Sequence, residues 1–122
     1  MGFALDNDRI YLRHNERLTA YDRHSLNNLW SVKMPYSGGT IPNLVLSETY
    51  LFTSVEDPGD LNTLYVLDSK SGKTLFQQPL RDIVWTLWPS FNLNSVIVNH
   101  MRCCENEGDS GDVYIDEFRV KP

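Results

Sequence analysis

The strongest constraint on this chain is a segment that occurs twice in its sequence. Residues 18–30 align without a gap on residues 64–76, an offset of 46 residues. The two copies share leucine, aspartate, serine and leucine at matching positions, and each ends in an aromatic residue. Self-similarity at such a period is typical of architectures in which one supersecondary unit is stacked on another.

Each copy predicts two strands joined by a tight turn. One strand ends at Asp22 or Asp68, and the next begins near Trp30 or Phe76. An aspartate in this position can accept hydrogen bonds from backbone N–H groups of the turn. We therefore expect both aspartates to close their turns.

The turn needs a residue with positive φ, and the two copies differ there. Gly72 provides this conformation in the second copy, because glycine has no Cβ to clash. Leu26 occupies the same position in the first copy. We therefore expect Asn27 or Asn28 to adopt the left-handed conformation instead.

The similarity continues upstream and, more weakly, downstream. Residues 3–12 resemble residues 44–53, each with a short apolar strand, a polar turn and a second strand. In a third copy, residues 95–99 and 113–116 take the second-strand and third-strand roles. The sequence therefore predicts one domain, residues 1–122, with approximate repeats 3–35, 41–80 and 83–122, the last lacking its fourth strand.

The apolar segments indicate the fold class. They are short, rich in Val, Ile, Tyr and Phe, and interrupted by turn residues, and none sustains a helical period. The chain is therefore predicted to be all-β, built from antiparallel four-stranded units. Residues 83–88 are predicted to form a strand that is buried on both faces.

The sequence around the second turn resembles the PQQ-like (quinoprotein-type) β-propeller repeat. That pattern is an apolar strand, Asp, two variable residues, Thr or Ser, Gly, Lys, two more residues and Trp. Residues 67–76 fit it with Phe76 in place of Trp, and residues 20–30 fit it with Trp30 but without the glycine. The resemblance implies four-stranded blades, with Trp30 and Phe76 packed between neighbouring blades.

A propeller of about three blades is not closed, because closed propellers have 4–8 blades. Three arrangements satisfy the sequence. Two chains can pair into one six-bladed ring of twofold symmetry. The chain can be a fragment of a longer propeller, or its strands can close locally as a sandwich or barrel.

Charge and hydropathy exclude some partners. The net charge is −5 and the pI is about 5.0, which disfavours binding to nucleic acid or to an anionic membrane surface. No segment approaches the length of a membrane span. The N-terminus lacks the basic region of a signal peptide, so we expect a cytoplasmic location.

The sequence predicts no metal site. His100, Cys103 and Cys104 lie within five residues, but neighbouring residues on a strand point to opposite faces. His14 and His24 lie in strand or turn contexts of the first copy. The acidic loop 105–112 does not match an EF-hand, so we expect a solvated hairpin loop.

The sequence also predicts no cofactor and no catalytic site. Cys103 and Cys104 resemble, in spacing alone, the vicinal disulfide that quinoprotein alcohol dehydrogenases carry against their quinone. The surrounding calcium and aspartate framework of those enzymes is not recognisable. Residues 71–74 end like a phosphate-binding loop but lack the preceding glycines, so they are interpreted as the blade turn.

These observations favour a non-enzymatic module for protein interaction or assembly, with a second copy or another protein as partner. The alternative is a fragment or subunit of a quinoprotein-like dehydrogenase. Interfaces are enriched in aromatic residues, so the candidate anchors are Trp85, Trp88, Phe91 and Tyr114. The competing interpretation places the same side chains in the core of the chain.

Overall fold

The computed structural model describes residues 2–14, 16–35, 43–56, 62–80, 82–102 and 112–121, without the side chains of Ile83, Trp85 and Arg102. The all-β prediction is confirmed, because these residues form strands and turns with no helix. The eleven strands are β1 (Gly2–Leu5), β2 (Arg9–His14), β3 (Arg17–Asp22), β4 (Asn28–Lys33), β5 (Leu44–Ser47), β6 (Tyr50–Glu56), β7 (Asn62–Asp68), β8 (Thr74–Pro79), β9 (Ile83–Pro89), β10 (Ser95–Arg102) and β11 (Asp112–Arg119).

The described strands form three antiparallel sheets in which strands that follow each other in the chain are neighbours. Sheet 1 has the order β1-β2-β3-β4, and sheet 2 has the order β5-β6-β7-β8. Sheet 3 has three strands in the order β9-β10-β11. None of the three sheets closes on itself, so each keeps its edges.

The sheets pack in chain order, with sheet 2 in the middle. The first strand of each sheet is the point of contact, because β1 lies beside β5 and β5 lies beside β9. Strand β6 reflects this central position, since it is buried from Leu51 to Val55 without alternation. A strand covered on both faces needs such a continuous buried run.

Two hydrophobic clusters fill the spaces between the sheets. The cluster between sheets 1 and 2 is formed by Tyr11, Leu18, Ala20, Met34, Leu51, Val55 and Leu67. The cluster between sheets 2 and 3 is formed by Val45, Phe52, Leu64, Val66, Val84, Leu87, Val96 and Val98. We call the contact of sheets 1 and 2 the first junction and that of sheets 2 and 3 the second junction.

The prediction that residues 83–88 are buried on both faces is wrong for Trp88, which is 43% exposed. Val84 and Leu87 both enter the second junction although they are three residues apart. A register shift between Asn99 and His100 explains this, because His100 pairs with Val84 while Asn99 pairs with Thr86. The extra residue of such a bulge turns both apolar side chains to one face.

The prediction for the first turn is also wrong. Leu26 itself has positive φ, at 63°, and neither Asn27 nor Asn28 does. The backbone imposes this conformation, because the amide of residue 26 donates to the Asp22 carbonyl at 2.8 Å, as the Gly72 amide donates to the Asp68 carbonyl at 2.8 Å. The leucine therefore adopts a conformation that residues other than glycine, asparagine and aspartate rarely take.

Candidate interaction surfaces

The aromatic residue that ends the first repeat packs onto the turn of the second. The Trp30 indole Nε1 donates to the Ser69 carbonyl at 3.0 Å. A Cβ added to Gly72, whose φ is +77°, would lie 2.6 Å from the indole ring. The glycine thus meets two needs at once, positive φ and close approach of the ring, and it couples sheet 1 to sheet 2.

The two predicted aspartates lie at the ends of β3 and β7 and cap their turns. Asp22 Oδ1 accepts hydrogen bonds from the backbone amides of His24 and Ser25, each at 2.8 Å. These bonds, first that of Ser25, hold the pKa of the Asp22 carboxyl below its usual range. Asp68 Oδ2 accepts from the Ser71 hydroxyl at 2.7 Å.

Phe76 is the equivalent of Trp30 in the second repeat, and its surroundings differ. The ring is 52% exposed, whereas Trp30 is half-buried. Phe76 lines a cleft of about 480 Å³ together with Tyr50, Phe52, Leu75, Phe118 and Val120. We call this the Phe76 cleft.

The outer face of sheet 1, opposite the first junction, carries an apolar patch formed by Phe3, Leu5, Ile10, Leu12 and Tyr21. The same face continues into a polar region at Thr19 and Ser31, whose hydroxyls lie 3.1 Å apart. Phe3 pairs with Leu12, Leu5 with Ile10, and Ile10 with Tyr21, so the five side chains share one face. Phe3 is 64% exposed.

The outer face of sheet 3, opposite the second junction, carries an apolar patch formed by Trp88, Ile97, Met101, Val113 and Ile115. Two polar residues share this face, because Asn99 pairs with Ile115 and Glu117 pairs with Ile97. Trp88 pairs with Ile97, and Met101 pairs with Val113. Ile115 is 64% exposed.

These two outer faces correspond in register to faces that are packed inside the molecule. Four positions on the outer face of sheet 1 are equivalent to positions of sheet 2 that contact sheet 1: Phe3 to Leu44, Leu5 to Leu46, Ile10 to Leu51 and Tyr21 to Leu67. Three positions on the outer face of sheet 3 are equivalent to positions of sheet 2 that contact sheet 3: Trp88 to Val45, Ile97 to Phe52 and Ile115 to Leu64. Each end of the stack therefore repeats a surface that the chain covers elsewhere.

Arg13 provides a polar contact within the first junction. Its buried guanidinium donates through Nη1 to the Thr53 hydroxyl and, at 2.7 Å, to the Ser54 carbonyl. Burial lowers the pKa of Arg13 to about 10, against a smaller opposing effect of Tyr65. The contact fastens β2 to β6 across the two sheets.

A histidine flanked by two carboxylates lies in sheet 3, and the sequence analysis did not anticipate it. His100 Nδ1 lies 2.6 Å from Asp82 Oδ2, and Nε2 lies 2.7 Å from Asp116 Oδ2. The Tyr114 ring stacks on the imidazole at 5.6 Å. Because both ring nitrogens are engaged, we assign His100 a structural role that holds β10, β11 and the segment before β9 together.

The predicted anchors occupy different environments. Trp88 belongs to the outer face of sheet 3, while Phe91 is fully exposed in the turn that follows β9. Tyr114 packs on His100 and faces the other side of the sheet. The side chain of Trp85 lies outside the described residues.

The predicted ligand residues are not brought together in the part of the chain that the structure describes. No group of three or more His, Cys, Asp or Glu side chains there could hold a metal ion. Cys103, Cys104 and residues 105–111 lie outside the described residues. His14 and His24 are exposed on β2 and in the first turn.

None of the described residues belongs to a helix that could cross a membrane. No protein-family model matches the chain. No curated protein matches it significantly.

Proposed function

We propose that this chain is a non-enzymatic, propeller-type repeat module that acts by assembling with a second copy of itself. The observation that carries this proposal is the equivalence between the two outer faces and the internally packed faces. Each outer face carries an apolar patch with exposed members, such as Phe3 and Leu5 at one end of the stack and Trp88 and Ile115 at the other. Exposed apolar patches of this kind mark interaction sites in soluble proteins.

The blade-like arrangement supports the propeller interpretation. Each sheet is a meander, and the first strands of successive sheets lie side by side. The contact of Trp30 with Gly72 and Ser69 links one sheet to the next in the manner that the repeat resemblance implies. The same packing step can be repeated beyond sheet 3.

A second copy can supply the next step. Its outer face of sheet 1 can pack on the outer face of sheet 3, with Phe3, Ile10 and Leu12 opposite Trp88, Ile97 and Ile115. These positions are equivalent to residues that already meet in the second junction. Two copies joined twice in this way form six sheets in one closed ring of twofold symmetry, within the range of known propellers.

Solution mass tests the proposal. Light scattering coupled to size exclusion should give twice 14.1 kDa for the wild-type chain. Trp88→Asp or Phe3→Asp should each give the monomer mass, because every interface of the ring uses both faces. Leu93→Asp is the matched control, since Leu93 is 65% exposed but lies in a turn outside both faces.

Three results would contradict the proposal. One is a monomeric wild-type chain at every concentration. Another is a mass that keeps increasing with concentration, which indicates an open array rather than a ring. The third is an equal loss of mass in the Leu93→Asp control.

A further inference from the structure

The Phe76 cleft joins the core of the second junction to the surface. Its buried part consists of Phe52, Leu64 and Val66, each at most 2% exposed. Leu75 and Phe76 line the cleft from β8 and are 50% and 52% exposed. Its volume of about 480 Å³ lies within the range of sites that hold small molecules, about 300–1,000 Å³.

Aromatic side chains from both sheets line the cleft. Tyr50 and Phe76 belong to sheet 2, and Phe118 belongs to the last strand of sheet 3. Tyr50 and Phe118 are partly buried against the cluster of the second junction. Aromatic side chains offer large apolar contact areas and pack well against other rings. The cleft therefore suits a flat, apolar molecule.

The charge of the lining is opposite to that of the chain. Arg119 and Lys121 line the cleft, and no acidic residue does so in the part of the chain that the structure describes. The whole chain carries a net charge of −5. A cleft that combines cationic groups with low-dielectric walls raises the local concentration of anions.

Neighbouring carboxylates compensate little of this positive charge. Glu117 Oε1 lies 3.4 Å from Arg119 Nη2, but both side chains are at the surface, where such an ion pair contributes little. Glu117 also accepts a hydrogen bond from the Asn92 side-chain amide at 3.0 Å, and it alternates with Phe118 onto the outer face of sheet 3. Among the described residues, no carboxylate pairs with Lys121. A carboxylate on a bound molecule can supply that pair.

We propose that the Phe76 cleft binds a small amphipathic anion, which consists of an aromatic body and one carboxylate. The body lies among Tyr50, Phe76 and Phe118, and the carboxylate pairs with Lys121. This site goes beyond the proposed assembly, because none of the residues of the two outer apolar patches lines the cleft.

Three probes of nearly equal shape and different charge test the site. Naphthylacetate is negative, naphthylacetamide is neutral and naphthylethylamine is positive. In a titration followed by amide NMR, naphthylacetate should bind with a Kd of about 1 mM or lower and should shift the amides from Phe118 to Lys121. The amide should bind at least about fivefold more weakly, and the amine at least about tenfold more weakly.

Protein variants separate the contribution of the charge from that of the rings. Lys121→Glu should weaken naphthylacetate at least about fivefold and leave the neutral probe within about twofold. Lys33→Glu is the matched control, because Lys33 is an exposed lysine on β4 and its exchange changes the net charge equally. Phe76→Ala should weaken both probes at least about threefold. Because Lys121 is exposed and follows the last strand, its variant keeps the test valid even where Phe76→Ala lowers stability.

Three results would overturn the proposal. One is binding of naphthylacetate and naphthylacetamide within about twofold of each other, which would make the cleft an apolar packing surface for a protein segment. Another is an equal loss of affinity in Lys33→Glu and Lys121→Glu, which would indicate the field of the whole protein. The third is naphthylacetate that does not saturate by about 10 mM.

The anion site and the assembly can fail separately. Trp88→Asp should leave the affinity for naphthylacetate unchanged. A monomeric wild-type chain that binds naphthylacetate would refute the assembly alone. A dimer that does not bind it would refute the anion site alone.

Discussion

The first and second junctions use the same local sequence unit with different outcomes. At the first, Trp30 donates to the Ser69 carbonyl, lies against Gly72 and packs 6.1 Å from the Tyr11 ring. At the second, Phe76 is 52% exposed beside an open cleft. The same position of the repeat is thus packed in one junction and half exposed in the other, so the repeat itself does not determine whether the aromatic residue is buried.

The turns differ in a related way. Gly72 must combine positive φ with close approach of an aromatic ring, whereas Leu26 meets only the first need. The Leu26 side chain is 64% exposed. Leucine is tolerated at position 26 at the cost of backbone strain. An indole could not dock against this turn as Trp30 docks against Gly72, because the leucine side chain would obstruct it.

The largest expected effect comes from giving the second turn the residue of the first. Gly72→Leu should lower the free energy of unfolding by about 4 kcal/mol, because it adds left-handed strain to an overlap with Trp30. Urea unfolding measures the loss. A loss below about 1 kcal/mol would show that the Trp30 contact is not a close-packed junction.

Removing the aromatic residues compares the junctions directly. Trp30→Ala should cost about 3 kcal/mol, and Phe76→Ala about 1 kcal/mol, because the Phe76 ring keeps much of its surface in water. Trp30→Phe should lower the free energy of unfolding by about 1 kcal/mol, because it removes the hydrogen bond from the indole to the Ser69 carbonyl. Equal losses for the two alanine variants in urea unfolding would contradict the distinction.

A smaller, stabilising effect is expected from the reverse exchange. Leu26→Gly should raise the free energy of unfolding by about 1 kcal/mol, because glycine adopts a φ of 63° without strain. Thermal and urea unfolding should agree on the sign. Destabilisation would mean that the exposed leucine makes contacts that outweigh the strain.

The smallest effect concerns the pH dependence of the first turn. Because the pKa of Asp22 is lowered in the folded state, its contribution is complete above the unfolded pKa and is lost as the pH falls through the folded value. Asp22→Asn should therefore lose less stability than the wild type between about pH 5 and pH 2. Melting temperatures across this range measure the difference, and parallel curves would contradict the assignment.

Local patterns in the sequence determined the strands and turns of this protein. Apolar alternation and the turns closed by Asp22 and Asp68 act over a few residues, so they predicted the all-β fold directly. The repeated segment that ends in Trp30 or Phe76 is equally local. It identified both aromatic residues but did not determine which of them is packed against the next sheet. Of the predicted anchors, Trp88 lies on an exposed face and Tyr114 packs on His100.

Only the tertiary structure decided which surfaces are covered. The bulge that turns Val84 and Leu87 to one side and the bonds of His100 to Asp82 and Asp116 all depend on partners distant in the chain. Phe3 and Ile115 have the same pattern as residues in the core, and sequence reasoning missed them as surface residues for that reason. Burial is a property of the neighbouring sheet, and a strand's own residues do not specify whether that neighbour is present.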